Sequence, residues 1–195
     1  MNIDTLKAAP ATLWTARLRL EHPRAQHAAA VLGSVNASLP ELEYIGWGQV
    51  AFDAQRALRF CEHDSALVAA GECLIYFAFE RASGAFVGNL DLHSFDFTVP
   101  RCEIGYVGDT RFAGRGLMFE AATEVLRLGF ALGVQRIAAC CDARNLRSIR
   151  FAEQLGMRRE GLLRSYARDP RGALCDEQVL ALLRDDPRPA VKATR

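Results

Sequence analysis

The most informative stretch of this chain is Arg111-Phe112-Ala113-Gly114-Arg115-Gly116-Leu117-Met118, which joins a predicted strand ending near Asp109 to a predicted helix running to about Leu132. Its two glycines allow a tight backbone turn that exposes successive N–H groups. The start of the helix adds unpaired N–H donors and the positive end of the helix dipole. Arg111 and Arg115 can add charge-assisted contacts. The segment, named here the cradle, therefore predicts a binding site for a diphosphate.

Two common nucleotide-binding loops fit the cradle poorly. A P-loop requires Gly-Lys-Ser/Thr, whereas Gly116 is followed by Leu117 and Met118. A dinucleotide fingerprint requires a third glycine where the chain has Phe119. The pattern that remains is Arg-x-x-Gly-x-Gly at the start of a helix.

A second motif lies further along the chain, between Cys141 and Met157. It reads Asp-x-x-Asn-x-x-Ser-x-Arg and then Glu-x-Leu-Gly-Met, with Glu-Gly just beyond at residues 160–161. Upstream of the cradle, residues 102–106 read Cys-Glu-Ile-Gly-Tyr. Together with the cradle, these motifs resemble the RimJ/RimL group of the GNAT superfamily of N-acetyltransferases. The resemblance spans most of the chain.

The resemblance implies an α/β GNAT fold, with a mixed, mostly antiparallel twisted sheet of about seven strands and flanking helices. Residues 1–195 are expected to form a single domain, with residues 185–195 as a loose tail. The central strands, predicted at 101–107 and 136–141, are expected to splay apart and hold acyl-CoA. The implied reaction is transfer of an acetyl group from acetyl-CoA to a primary amine by direct attack on the thioester. Known members of the group acetylate N-terminal amines of ribosomal proteins, so a protein N-terminal α-amine is the first expected acceptor.

The resemblance also implies the residues that bind acetyl-CoA. Residues 111–118 would hold the diphosphate, Asn145 would contact the pantetheine arm, and the Val107 N–H would stabilise the oxyanion. Ser148 is the expected acid beside the thioester sulfur. The alternative role for Asn145 and Ser148 is capping of the helix that begins there. No metal is expected.

The general base and the acceptor site are less well defined. Glu103, on the strand beside the cofactor, is the first candidate base, and a structural ion pair is its alternative role. Asp91 and His93 are candidates for a proton relay through water and for the acceptor site. An N-terminal α-amine has a pKa of about 8, so a strong base is not obligatory. Trp47 and Tyr44 are candidates for the acceptor wall, with ordinary aromatic packing as the alternative.

Two other functions stay open at this stage. One is acetylation of a small amine or an aminoglycoside, for which an acidic cleft is expected, and Glu41, Glu43, Glu62 and Asp64 are its candidates. The other is a non-catalytic sensor that binds acyl-CoA without turnover. The chain also departs from the group's pattern at Ala113, where Gln or a similar residue is usual. This departure affects the shape of the acceptor wall more than the backbone contacts of the cradle.

Composition gives no reason to expect nucleic acid or an anionic membrane as a partner, because 24 basic and 23 acidic residues leave a net charge of +1. Arg144, Arg147 and Arg150 form a local basic cluster. The six cysteines lack the spacing of zinc or redox motifs, and reduced thiols in a cytoplasm are expected. No apolar run approaches the roughly 18 residues of a membrane span. A cytoplasmic protein is expected, and a homodimer remains open.

The hydrophobic pattern predicts the element order β, α, α, β, β, β, α, β, α, β, β. The predicted elements are a strand at 13–21, a helix after Pro23, a helix at 54–70, a hairpin of 72–80 and 85–93, a strand at 101–107, the helix after the cradle, a strand at 136–141, a short helix at 148–155 and a strand pair at 162–168 and 175–183. The helix after the cradle has a predicted buried stripe of Leu117, Ala121, Val125, Leu128 and Leu132.

Overall fold

A computed structural model describes residues 1–187, and residues 188–195, most of the predicted loose tail, lie outside the described residues. The strands are β1 (Thr12–Trp14), β2 (Leu18–Glu21), β3 (Leu74–Glu80), β4 (Phe86–Asp96), β5 (Arg101–Gly108), β6 (Arg136–Asp142), β7 (Arg158–Arg168) and β8 (Leu174–Leu183). The helices are α1 (Ile3–Lys7), α2 (Ala28–Ser38), α3 (Ala54–Ala70), α4 (Leu117–Ala131) and α5 (Leu146–Gln154). Short 3₁₀ turns lie at Ala25–His27, Leu39–Glu41, Gly46–Gly48 and Thr110–Phe112.

The eight strands form one sheet in the order β1-β2-β3-β4-β5-β6-β8-β7. Neighbouring strands pair antiparallel except β5 and β6, which are parallel and pair only over residues 101–103 and 136–138. Beyond that point β5 stays paired with β4 up to Gly108, and β6 stays paired with β8 up to Asp142. The two strands therefore diverge, and the predicted splayed, mostly antiparallel sheet is confirmed.

The predicted single strand over residues 13–21 is wrong, because the chain turns back between β1 and β2. The Thr15 N–H donates to the Leu18 carbonyl at 3.0 Å. Glu120 of α4 holds this turn, since its Oε1 accepts hydrogen bonds from the Thr15 hydroxyl at 2.5 Å and from the Arg17 N–H at 2.8 Å. The split raises the strand count from the expected seven to eight.

Local signals place the long helices well. α3 covers the predicted residues 54–70, because the Asp53 side chain accepts from the Arg56 N–H at its start and Gly71 ends it in a left-handed conformation. In α4 the predicted stripe is buried from Leu117 to Leu128, whereas Leu132 lies just past the helix end and is half-buried. None of the helices within residues 1–187 is both long and apolar enough to cross a membrane.

The sheet separates two apolar cores. On one side, named here the α4 face, α4 and α5 pack against the sheet. On the other side, named the α3 face, α2 and α3 cover β3 and β4. Successive residues of a strand point to opposite faces, so Tyr106 packs on the α4 face and Val107 on the α3 face. The gap between β5 and β6 is therefore accessible to groups from both faces.

Candidate active site

The β5 wall of the gap presents backbone groups that lack a strand partner. The Asp109 N–H donates to the Val87 carbonyl of β4 at 2.7 Å. Alternate residues of a strand direct their N–H and C=O groups to the same neighbour, so the Val107 N–H also points to β4. Tyr106 and Gly108 direct their N–H groups into the gap. This register differs from the sequence expectation, which placed the Val107 N–H there.

The β6 wall also presents backbone groups that lack a strand partner. The Arg136 N–H donates to the Pro100 carbonyl at 3.3 Å, so alternate residues from Arg136 onward point toward β5. Cys140 follows that alternation beyond the paired segment and directs its N–H and C=O into the gap. Unpaired backbone groups on both walls favour an extended ligand with amide groups of its own. The pantetheine arm of coenzyme A fits this requirement.

The cradle presents free N–H donors next to the gap. Gly114 and Gly116 have φ angles of 76° and 70°, a left-handed conformation that favours glycine. The N–H groups of Gly114, Gly116, Leu117 and Met118 have no acceptor within residues 1–187. Four free donors at a helix N-terminus suit a diphosphate.

Both arginines of the cradle have carboxylate partners. Arg111 makes a bidentate pair with the buried Asp109, with Nε–Oδ1 at 3.0 Å and Nη2–Oδ2 at 2.5 Å. Burial opposes the charge of Asp109, but its hydrogen bonds with Arg111 outweigh this and lower the pKa of Asp109. Arg115 pairs with Glu80 and lies over the Phe112 ring, 5.1 Å from its centroid. Both arginine side chains remain about half exposed, so N–H groups are left for an anion.

Ser148 lies on the α4 face, in the first turn of α5. The N-cap of this helix is Asn145, whose Oδ1 accepts from the Ser148 N–H at 3.1 Å. For this reason α5 begins at Leu146, two residues before the predicted start. Capping therefore belongs to Asn145, and the Ser148 hydroxyl is left to lie 3.1 Å from the Tyr106 hydroxyl.

Sequence reasoning missed Tyr106 as a site residue. Its hydroxyl also donates to the Ser148 carbonyl at 3.1 Å, and its ring lies 4.7 Å from that of Phe151 in α5. Burial raises the pKa of Tyr106 to about 12, so the phenol stays protonated. Strand alternation contained the signal, because Tyr106 shares the core face with Ile104 and carries a polar group at the open end of β5.

The α3 face of the gap brings together the candidate bases. Glu103 lies opposite His93 in the β4–β5 register. The Asp91 carboxylate lies against Gly105, where a Cβ would come within 3.0 Å of Asp91 Cγ and Oδ2. His93 Nε2 is 3.6 Å from Asp91 Oδ2. Asp91, His93 and Glu103 thus form one cluster beside the gap.

The four predicted acidic candidates do not all converge. Asp64 is buried on the sheet-facing side of α3, and burial and the charge of Asp91 raise the pKa of Asp64 to about 7. Burial raises the pKa of Asp91 as well. Glu62 is exposed, Glu41 pairs with an arginine of α5 at 2.5 Å, and Glu43 lines an outer groove.

Trp47 and Tyr44 occupy different places. Trp47 lines a narrow cleft beside the gap with Asn89 and Val107, although its ring also packs against Phe60 at 5.1 Å. Tyr44 lies further out, on an outer groove, with its ring centroid 5.8 Å from the Arg144 guanidinium carbon.

The predicted basic cluster is largely neutralised. Arg144 pairs with Asp142 at 2.6 Å and with Asp169 at 2.9 Å, and Arg147 pairs with Glu41. The six cysteines are free. Within the described part of the chain, no group of three or more His, Cys, Asp or Glu side chains is placed to hold a metal ion.

Residues 17–158 match the acetyltransferase (GNAT) domain family. This chain belongs to the GNAT acetyltransferase family. The uncharacterized N-acetyltransferase YnaD of Bacillus subtilis (strain 168) is 35% identical to this GNAT domain over 86 residues, covering 43% of this chain and 49% of YnaD. The chain spans about half the length of the curated relatives it matches.

Two solved structures illustrate the shared fold. The microcin C7 self-immunity acetyltransferase MccE, in complex with acetyl-CoA and AMP, has a TM-score of 0.82 at 19% identity, covering 91% of this chain and 99% of that chain. RimL, a ribosomal L7/L12 alpha-N-protein acetyltransferase in complex with coenzyme A, has a TM-score of 0.78 at 19% identity, covering 90% and 97%. At these identities the likeness shows a common fold.

Proposed function

We propose that this GNAT domain is an acetyl-CoA-dependent N-acetyltransferase that acts on a primary amine. The observation that carries the proposal is the set of unpartnered backbone donors that continues from the gap between β5 and β6 into the N-terminus of α4. The amide-containing arm of coenzyme A matches the donors in the gap, and its diphosphate matches the donors at the N-terminus of α4. Acetyl-CoA supplies the acetyl group as an activated thioester.

The residues on the walls of the gap have separate roles in this proposal. Residues 111–118 hold the diphosphate, and Asn145 contacts the pantetheine arm while capping α5. The gap-directed N–H of Tyr106 or Gly108, in place of that of Val107, donates to the developing oxyanion. Ser148, on the α4 face, protonates the leaving thiolate.

The acceptor amine approaches from the α3 face. Glu103 accepts the amine proton, with Asp91 and His93 as a relay through water. Trp47 and Tyr44 contribute to the walls on that side. The acid and the base thus lie on opposite faces of the sheet, with the gap between them.

For the acceptor itself, we propose a protein N-terminal α-amine of the ribosomal type, in keeping with the RimJ/RimL-like motifs and the fold shared with RimL. A small amine is the second candidate, supported by the carboxylates on the α3 face.

A thiol-release assay with acetyl-CoA tests the function across N-terminal peptides, amino acids, polyamines and aminoglycosides. Since a positioned acid contributes about 100-fold or more, Ser148→Ala is expected to lower kcat by about that factor and to change the Kd for coenzyme A by less than about twofold. Ser65→Ala, which removes a serine hydroxyl from α3 on the other side of the sheet, is the matched control. Coenzyme A binding without turnover on any amine would favour the non-catalytic sensor, and absence of binding would reject the proposal.

A further inference from the structure

A row of carboxylates crosses the α3 face at the gap. It consists of Asp64 on α3, Asp91 on β4, Glu103 on β5 and Glu177 on β8. Glu177 lies opposite Asp142 in the β6–β8 register, and burial together with the charges of Glu103 and Asp142 raises the pKa of Glu177. This row, named here the acidic row, lies on the side from which the acceptor is proposed to approach.

The acidic row lacks basic partners. In the described part of the chain, Asp64, Glu103 and Glu177 form no ion pair with lysine or arginine, and Asp91 has only His93 at 3.6 Å. The carboxylates around the cradle behave differently, since Asp109, Glu80 and Glu120 each pair with an arginine. The lack of a lysine or arginine partner therefore distinguishes the acidic row from these three carboxylates.

Asp64 is the most deeply buried member of the acidic row. It is only 8% exposed and lies on the sheet-facing side of α3 with Ala57 and Cys61, each of which is completely buried. Its carboxylate accepts no hydrogen bond from any residue in the range 1–187, and burial and the charge of Asp91 raise its pKa. Burial of most of this side chain disfavours its charged form, so a cation beside the carboxylate would be favoured.

The position of Asp91 relates the pair Asp64 and Asp91 to the proposed reaction. Asp91 lies against Gly105, and the next residue along β5 is Tyr106, whose backbone lines the gap. A cation held between Asp64 and Asp91 therefore sits close to the place where the acceptor amine must meet the thioester.

We propose that Asp64 and Asp91 form a subsite for a second cationic nitrogen of the acceptor, so that the preferred acceptor carries an ammonium or guanidinium group in addition to the amine that reacts. The inference rests on the proposed acetyltransferase function and specifies its substrate class. Linear diamines, aminoglycosides and peptides with a basic residue near the N-terminus share this chemistry.

Matched acceptors test the proposal in the wild-type protein. α,ω-Diamines with three to eight carbons are compared with amino alcohols of equal length, which lack only the second charge. Because a charge-assisted contact is lost in the alcohol, kcat/KM is expected to be at least about tenfold higher for the best diamine. Parallel arms use peptides with lysine or norleucine at the second position, and aminoglycosides, to show which source of the cation is preferred.

Asp64→Asn and Glu62→Gln extend the test. Asp64→Asn is expected to lower kcat/KM for diamines to that for amino alcohols, and so to abolish the preference, because one charge-assisted contact is removed. Glu62→Gln removes the same charge from an exposed position of the same helix and is expected to keep the preference. Equal kcat/KM for charged and uncharged partners in every arm of the wild-type assay would overturn the proposal, whatever the variants do.

Calorimetry separates this inference from the proposed function. A diamine is titrated into the wild-type protein and Asp64→Asn, each with coenzyme A present. Binding that is lost in Asp64→Asn, without acetyl transfer to any amine, would support the subsite and reject the enzyme. Acetyl transfer without diamine binding or preference would support the enzyme and reject the subsite.

Discussion

At the scale of single residues, the hydroxyl of Tyr106 positions Ser148. It lies 3.1 Å from both the Ser148 hydroxyl and the Ser148 carbonyl oxygen. A net hydrogen bond contributes about 1 kcal/mol, and about 1.4 kcal/mol is a tenfold change in rate. We therefore expect Tyr106→Phe to lower kcat by roughly three- to tenfold and to leave KM for acetyl-CoA nearly unchanged in steady-state kinetics.

A double variant checks that Tyr106 acts through Ser148. If it does, Tyr106→Phe combined with Ser148→Ala should be no slower than Ser148→Ala alone. Two losses that simply multiply would contradict the contact as the cause.

Gly105 is a second residue on which the site depends. A methyl group there would come within 3.0 Å of the Asp91 carboxylate, which must then move. Overpacking of this kind costs about 1–3 kcal/mol, so Gly105→Ala is expected to lower the free energy of unfolding by that amount and to lower kcat/KM for the acceptor. Urea denaturation and acceptor kinetics measure the two effects.

Gly161→Ala on β7 is the matched control for Gly105→Ala. A Cβ at Gly161 has no atom within 4 Å, so its stability change should stay within about 0.5 kcal/mol. A Gly105→Ala protein with wild-type stability and activity would show that Asp91 is free to move.

At the scale of elements, α4 serves the core with one side and the cradle with its N-terminus. Leu128 is 5% exposed, whereas Leu132 is half-buried past the helix end. We expect Leu128→Ala to lower the free energy of unfolding by about 2–4 kcal/mol and Leu132→Ala by roughly half as much. Chemical denaturation measures both changes, and equal losses would mean that the buried stripe extends to Leu132.

At the scale of the whole molecule, the acidic row makes folding stability depend on pH. The pKa of Asp64 is raised to about 7 in the folded protein, above its usual value of about 3.8. Folding therefore binds a proton, and the stability gained below about pH 4 is lost as pH rises toward 7.

The Asp64→Asn variant is expected to show this cost directly. Its free energy of unfolding should match that of the wild type near pH 4 and exceed it by about 1–3 kcal/mol above pH 7. Thermal unfolding between pH 4 and pH 8 provides the measurement. A difference between the two proteins that does not change with pH would mean that Asp64 is ionised at its ordinary pKa.

Features that depend on residues close together in the chain were predictable from the sequence. The cradle depends on Gly114 and Gly116, and α3 depends on a capping Asp53 and a terminal Gly71, all of which act within a few residues of the chain. The order of the elements and the buried stripe of α4 follow from periodicity, which is also local. Apart from the unpredicted helix α1, the split first strand and Leu132 at the end of the stripe, these predictions match the structure.

Contacts between distant segments were decided only by the tertiary structure. Glu120 divides the first predicted strand into a hairpin, and pairing with β4 turns the Val107 N–H away from the gap. Tyr106 meets Ser148 across 42 positions of the chain, and the charge of Asp91 on β4 acts on Asp64 of α3. Spacing along the chain determines which residues share one turn or one face, whereas strand register and the packing of a helix on a sheet determine which faces meet, and these are set by the molecule as a whole.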